Sequence, residues 1–292
     1  MKVEKYYQPV NIKELLELLQ ANNGAMKIIA GGTDVIVSIR NRKIRPDALV
    51  DIGRIKQMHG ITLEYGKMTI GSTTTFREIA ENKMILKYVP MLAEAASQVG
   101  SPQIRCLGTI GGNVANCAAA GDSIPVLLAL QAKAIVADQT GERLVCVSKL
   151  LKDVNTSSLS PKEVVLGFVI DITRKRNFQY FRKLGPRKAL AISNLSLAVS
   201  ADVEDNIIKD IHIAAGAVGR TAYCVDEIEQ NLVGKDIKNL DSENEAQKFG
   251  KYIYEQLGGR EEVPYKAGYK KNLAVAALSS CICEMKGGCG NE

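Results

Sequence analysis

The chain has 292 residues, 46% of them hydrophobic and 24% charged, enough to bury a sizeable core and unlike a disordered or fibrous protein. Its 38 basic and 32 acidic residues, a net charge of +6, are spread along the chain without interleaved aromatics, so no nucleic-acid groove is expected. The opening MKVEKYYQPV has no apolar signal core and no stretch reaches bilayer-spanning length, which predicts a cytoplasmic protein with no membrane association and makes the seven cysteines reduced thiols.

In chain order, Ile12, Leu15, Leu16 and Leu19 stand at helical spacing behind Asn11 as N-cap, with Glu14 three residues on. A short strand over 27–30 follows, then Gly31, Gly32, Thr33 and Asp34 at a tight turn, then an apolar helical run over 35–39. Residues 48–52 read as a buried strand, and 61–63 with 68–70 as a hairpin around Tyr65 and Gly66. Thr75 and Glu78 form a capping box, and a further helix runs over 90–98 until Gly100 stops it. Residues 100–122, rich in Gly, Ala, Ser and Asn, are expected to be irregular, before a helix over 124–130, strands over 134–138 and 143–147, and a last strand over 163–170. The pattern then changes to two long alternating runs, 191–203 and 207–218, which predict an antiparallel hairpin, followed by helices over 225–232, 243–257 and 265–285. The expected class is α+β, with a boundary near residue 173.

Chemistry concentrates in two glycine turns. In the first, Ile29-Ala30-Gly31-Gly32-Thr33-Asp34, successive N–H groups can form an anion nest at the start of a helix. In the second, Thr109-Ile110-Gly111-Gly112-Asn113, glycines expose backbone donors and Thr109 and Asn113 add a hydroxyl and an amide. Two such turns facing one another suit a pyrophosphate without a lysine; both the Walker A loop and the G-x-G-x-x-G fingerprint are absent. His59 and His212 lack metal-ligand neighbours, so neither a histidine-linked flavin nor a zinc site is expected. Cys281, Cys283 and Cys289, with Cys224, match no ferredoxin spacing, and Cys106 and Cys117 read as small packing residues.

The pair IAGGTD and TIGGN, joined by GSPQIRCLG and followed by AGDSIP and FRKLGPRKALAIS, resembles the FAD-binding subunit of the molybdenum hydroxylases, which include xanthine, nicotinate and carbon monoxide dehydrogenases. The likeness covers essentially the whole chain. It implies a two-subdomain α/β FAD-binding domain of the vanillyl-alcohol-oxidase (PCMH) type over 1–172, and a C-terminal antiparallel sheet with helices over 173–292. It implies non-covalent FAD, with Lys27, Ile28, Ile29, Ala30, Gly31, Gly32, Thr33, Asp34 and Val35 around one side of the pyrophosphate. Thr109, Ile110, Gly111, Gly112 and Asn113 take the other side, Gly100 and Val165 lie near the cofactor, Asp122 accepts from FAD, and Lys183 is the basic contact near the flavin. Asp122 is equally suited to cap the helix beginning near Ser123, Lys183 to being a solvated charge, and Arg182 is the neighbouring basic alternative. The resemblance further implies a small partner chain carrying 2Fe-2S centres, a large one carrying molybdopterin, and NAD or a similar acceptor. The organic substrate would be oxidised on the large chain, and no catalytic or metal residue is expected here. Two other readings stand beside it: a self-contained flavin oxidase of the same fold, and a flavin-free scaffold subunit.

Overall fold

Strand β1 (Lys5–Tyr7) opens a computed structural model that describes residues 3–187, 190–258 and 264–287. Helix α1 (Ile12–Gln20) follows, and Asn11 caps it: its Oδ1 accepts the Glu14 N–H at 2.9 Å, while the Glu14 carboxylate accepts the Val10 N–H at 2.9 Å. Its buried face carries Leu15 and Leu19. Strand β2 (Met26–Ile29), helix α2 (Val35–Arg40) and strand β3 (Ala48–Asp51) complete a parallel three-stranded sheet of order β1-β3-β2. The three-residue β1 is too short to leave a periodic signal in the sequence.

The second unit starts with the hairpin β4 (Ile61–Glu64) and β5 (Lys67–Gly71), whose turn residues Tyr65 and Gly66 both have left-handed φ, 49° and 73°. Helix α3 (Phe76–Glu81) carries the expected Thr75–Glu78 capping box, and α4 (Lys83–Tyr88) and α5 (Pro90–Ser97) follow. The stretch expected to be irregular instead holds helices α6 (Pro102–Leu107) and α7 (Ile110–Asn116). Ser101 and Thr109 cap them; Pro102 suits the first position of α6, and at α7 the hydroxyl-to-backbone bond compensates for two glycines in the first turn. Helix α8 (Ser123–Ala129), strands β6 (Lys133–Asp138) and β7 (Gly141–Cys146), helix α9 (Val147–Leu150), the small hairpin β8 (Leu151–Asp153) and β9 (Thr156–Ser157), and strand β10 (Val164–Asp171) finish the unit. The five-stranded antiparallel sheet runs β4-β5-β10-β6-β7. Strand β10 joins two cores: Val165, Phe168 and Ile170 enter the main one, Val164 and Leu166 pack with the first unit.

The remaining chain forms an antiparallel sheet in the order β11 (Phe178–Leu184), β12 (Leu195–Glu204), β13 (Ile207–Gly216) and β14 (Tyr223–Cys224). It is followed by helices α10 (Asp226–Leu232), α11 (Ser242–Gln256) and α12 (Pro264–Met285). The hairpin between β12 and β13 closes on Asp205 and Asn206, both at positive φ. Alternation then splits the sheet's faces: Leu195, Leu197, Val199, Ile211 and Ile213 share a core with the helices, whereas Ala198 and Ala214 join the core of the second unit. Small residues on that second face permit close approach, since a Cβ on Gly216 would lie 3.2 Å from Pro125 of α8. Cys281 is buried in the helical core and Cys117 is also buried, but Cys106 is exposed on α6, contrary to its reading as a packing residue. Cys289 lies outside the described residues. No described helix is long and apolar enough to cross a membrane.

Candidate functional site

The first glycine turn leaves β2 with Gly32 at φ +72°, a left-handed value that suits glycine. Gly31 meets the end of α6: a Cβ there would stand 1.7 Å from the Leu107 carbonyl oxygen and 3.1 Å from the Gly108 nitrogen. The absent side chain is therefore what lets the first turn pack directly against the residues leading into the second. The backbone N–H groups of Gly31, Gly32, Thr33, Asp34 and Val35 find no acceptor among the described residues, and Asp34 makes no side-chain cap to α2. Lys27, Ile28 and Ile29 form the strand behind this turn with Ala30 after them, and Ile29 is buried.

The second turn is built differently. The N–H groups from Ile110 to Asn113 are engaged within the chain: Ile110 donates to Thr74 O at 3.1 Å, Gly111 to Ser72 O at 2.9 Å, Gly112 to Thr109 Oγ1 at 3.1 Å and Asn113 to Thr109 O at 3.0 Å. The expectation that its glycines expose free backbone donors is corrected, because Ser72 O and the Thr109 cap take them. Gly111 is required by contact, since a Cβ there would lie 2.4 Å from Ser72 Cβ. The Thr109 hydroxyl accepts from Gly112 and keeps its own proton to donate. Asn113 Oδ1 accepts from Ser123 Oγ at 2.8 Å, and its Nδ2 has no acceptor among the described residues.

Asp122 and Lys183 meet across the junction of the two halves, Lys183 Nζ donating to Asp122 Oδ2 at 2.6 Å and to Gln98 O at 2.9 Å. Both side chains are nearly buried, at 9% and 6% exposure for Lys183 and Asp122. Ser193 Oγ donates to Asp122 Oδ1 at 2.5 Å. Burial pushes the Asp122 carboxyl up, and the Lys183 ammonium and Ser193 hydroxyl act against that. Asp122 stands at the N-cap position of α8 but its side chain caps nothing, which corrects the capping reading; Lys183 is likewise not a solvated charge. Each Asp122 oxygen accepts one of these bonds and keeps a further lone pair. Arg182, the neighbouring alternative, is exposed, and its charge is felt at Glu94 rather than at Asp122. Gly100 sits at φ +48° against Ile104, and Arg105 donates to its carbonyl at 3.4 Å. Val165 is buried in the main core, on the central strand of the five-stranded sheet. Sequence reading missed Ser193 and the Gln98 carbonyl; with Ser193 71 residues from its partner Asp122, no local pattern could have paired them.

A run of unpaired N–H donors, a glycine with no room for a side chain, and the donor hydrogens of Thr109 and Asn113 make a set suited to two adjoining phosphates rather than to a metal. Fold and site thus define an α+β chain whose two glycine turns adjoin and carry free donors of the kind that bind anions. The FAD binding domain in molybdopterin dehydrogenase matches residues 1–170, the CO dehydrogenase flavoprotein C-terminal domain matches 179–285, and the chain belongs to this family of FAD-binding flavoproteins. It is 30% identical over 294 residues to the nicotinate dehydrogenase FAD-subunit of Eubacterium barkeri, covering 99% of each. It is 30% identical over 228 residues to the xanthine dehydrogenase FAD-binding subunit of Escherichia coli O157:H7, covering 77% of each. A chain of carbon monoxide dehydrogenase from Hydrogenophaga pseudoflava superimposes with a TM-score of 0.87 at 25% identity over 94% of each chain. The chain is thus an FAD-binding component of an oxidoreductase of the molybdenum hydroxylase family.

Proposed function

We propose that this chain holds FAD non-covalently, with residues 27–35 on one side of the pyrophosphate and Thr109, Ile110, Gly111, Gly112 and Asn113 on the other. The observation that carries the reading is the unpaired N–H run Gly31 to Val35, pressed against the Leu107 carbonyl where no Cβ fits. In the first turn the backbone binds; in the second, the Thr109 hydroxyl and the Asn113 amide do so, while the helix they belong to supplies rigidity. Gly100 and Val165 border the cofactor, Asp122 is an acceptor for its donors, and Lys183, held by Asp122, is the cation at the flavin. Bound FAD supplies one- and two-electron redox chemistry, and the protein supplies position, electrostatics and exclusion of water. In this reading residues 1–172 are a PCMH-type FAD domain and 173–292 its C-terminal partner. The chain serves as the electron-transfer subunit between 2Fe-2S centres on a small partner and NAD or a similar acceptor. The organic substrate is oxidised at molybdopterin on a large partner chain of a xanthine or nicotinate dehydrogenase-like complex.

The test is an absorption spectrum of the purified chain, alone and co-expressed with its neighbouring open reading frames, with acid release of the chromophore. Flavin bands and releasable FAD in the chain, with substrate-dependent bleaching only in the co-expressed complex, are the expected results. A colourless chain that takes up no added FAD in either preparation overturns the reading.

A further inference from the structure

The bonds around Lys183 form a closed relay across the junction of the two halves. Lys183 and Ser193, on either side of the connection from β11 to β12, reach into the first half, where Asp122 precedes α8 and the Gln98 carbonyl ends α5. An ammonium carries three donor hydrogens; Asp122 and Gln98 use two of them, leaving one to face a ligand. The direction of that last N–H depends on where Asp122 holds the nitrogen. Asp122 makes no bond to α8, so its second oxygen is fixed only by the 2.5 Å bond from Ser193 Oγ. Ser193 is itself buried, at 6% exposure, so water cannot readily replace its hydroxyl.

We propose that Ser193 is a positioning residue for the cofactor: its hydroxyl locks the Asp122 carboxylate, and Asp122 in turn aims the remaining Lys183 N–H at the flavin. This rests on the reading that Lys183 lies at the flavin. Loss of the hydroxyl leaves Oδ1 without a partner in a site where burial already disfavours its charge. The carboxylate is then free to turn or to take a proton, and Lys183 loses its aim although its own bonds run to Gln98 and Asp122, not to the lost hydroxyl.

The experiment uses the full chain carrying Ser193→Ala, Asp122→Asn or both, with Gly31→Val as the reference for the site itself. FAD dissociation constants, the visible flavin spectrum and the thermal midpoint of the apo chain are measured for each. The expected result is that Ser193→Ala weakens FAD about threefold to tenfold and shifts the flavin bands, an effect of one hydrogen bond relayed through a second. The same substitution has no further effect in the Asp122→Asn background, because residues acting in one relay are not additive. If Ser193→Ala lowers only the thermal midpoint while Gly31→Val loses FAD, the relay is overturned and the site stands. Additive effects of Ser193→Ala and Asp122→Asn also overturn the relay. If Gly31→Val and Ser193→Ala both bind FAD like the parent, the site reading fails and takes the relay with it.

Discussion

The two glycine turns look alike in sequence and are opposites in structure. The turn at Gly31 and Gly32 leaves its backbone donors without an acceptor among the described residues, whereas the turn at Gly111 and Gly112 spends its donors on Ser72, Thr74 and its own cap Thr109. One has donors to spare, the other is a helix start wedged onto the end of β5, where Gly111 leaves only enough room for backbone to pass Ser72. The difference teaches that a Gly-Gly pair marks a close approach without saying what approaches: the end of α6 in one case, the residue after β5 in the other.

The comparison can be broken most sharply at Gly31. Gly31→Val drives a side chain into the Leu107 carbonyl, 1.7 Å from the first added carbon, and disorganises the whole donor run. The affinity for FAD is expected to fall about 100-fold or more, the weight of several hydrogen bonds to a charged group. Titration followed by flavin fluorescence measures it, and an affinity loss no larger than the loss of apo stability contradicts the first turn's role. At the second turn the order reverses. Gly111→Ala forces Ser72 and β5 apart and should cost about 1–3 kcal/mol of stability, as overpacking does. Urea unfolding of the apo chain reads it, and a variant that unfolds like the parent yet loses FAD shows that Gly111 contacts the cofactor directly.

A smaller effect separates the two jobs of Thr109. Thr109→Val removes the cap on the Gly112 N–H and should cost about 1 kcal/mol, while Thr109→Ser keeps both the cap and the donor hydrogen; thermal midpoints of the pair compare them. The smallest effect lies behind the second turn, where the Cys117 carbonyl accepts from Asn155 N–H in the β8–β9 hairpin. That hairpin is tied to the C-terminal half by Arg220, which donates twice to Asp153 at 2.6 and 2.7 Å. The Arg220 bonds hold the Asp153 carboxyl at about 2 against a usual 3.8. A depressed carboxylate stabilises the fold fully above its unfolded value and loses that contribution as pH falls through the folded one. Arg220→Ala should therefore flatten the stability change between those two values, slightly because the pair is exposed and screened by salt. Unfolding curves across that acid range report it, and an unchanged slope shows that the pair contributes nothing.

Local signals were the legible ones. Asn11 with Glu14, and Thr75 with Glu78, announce their helices because caps act within four residues. The alternation that predicts the β12–β13 hairpin is equally visible, since successive side chains fall on opposite faces. Helices α6 and α7 were hidden because Gly, Ser and Asn in that stretch argue against a helix, although Ser101-Pro102 and Thr109 were capping signals in plain view.

The sequence by itself determined the fold class, the family and the two turns, because each rests on short-range pattern or on motifs in order. Only the tertiary structure decided which turn keeps its donors free, because that depends on whether Ser72 and Thr74, brought in by β5, stand where the N–H groups point. It also decided that Asp122 answers to Lys183 and Ser193 rather than to its own helix. A buried carboxylate is governed by the charge and hydroxyl that desolvation brings to it, and those come from parts of the chain that only packing makes neighbours.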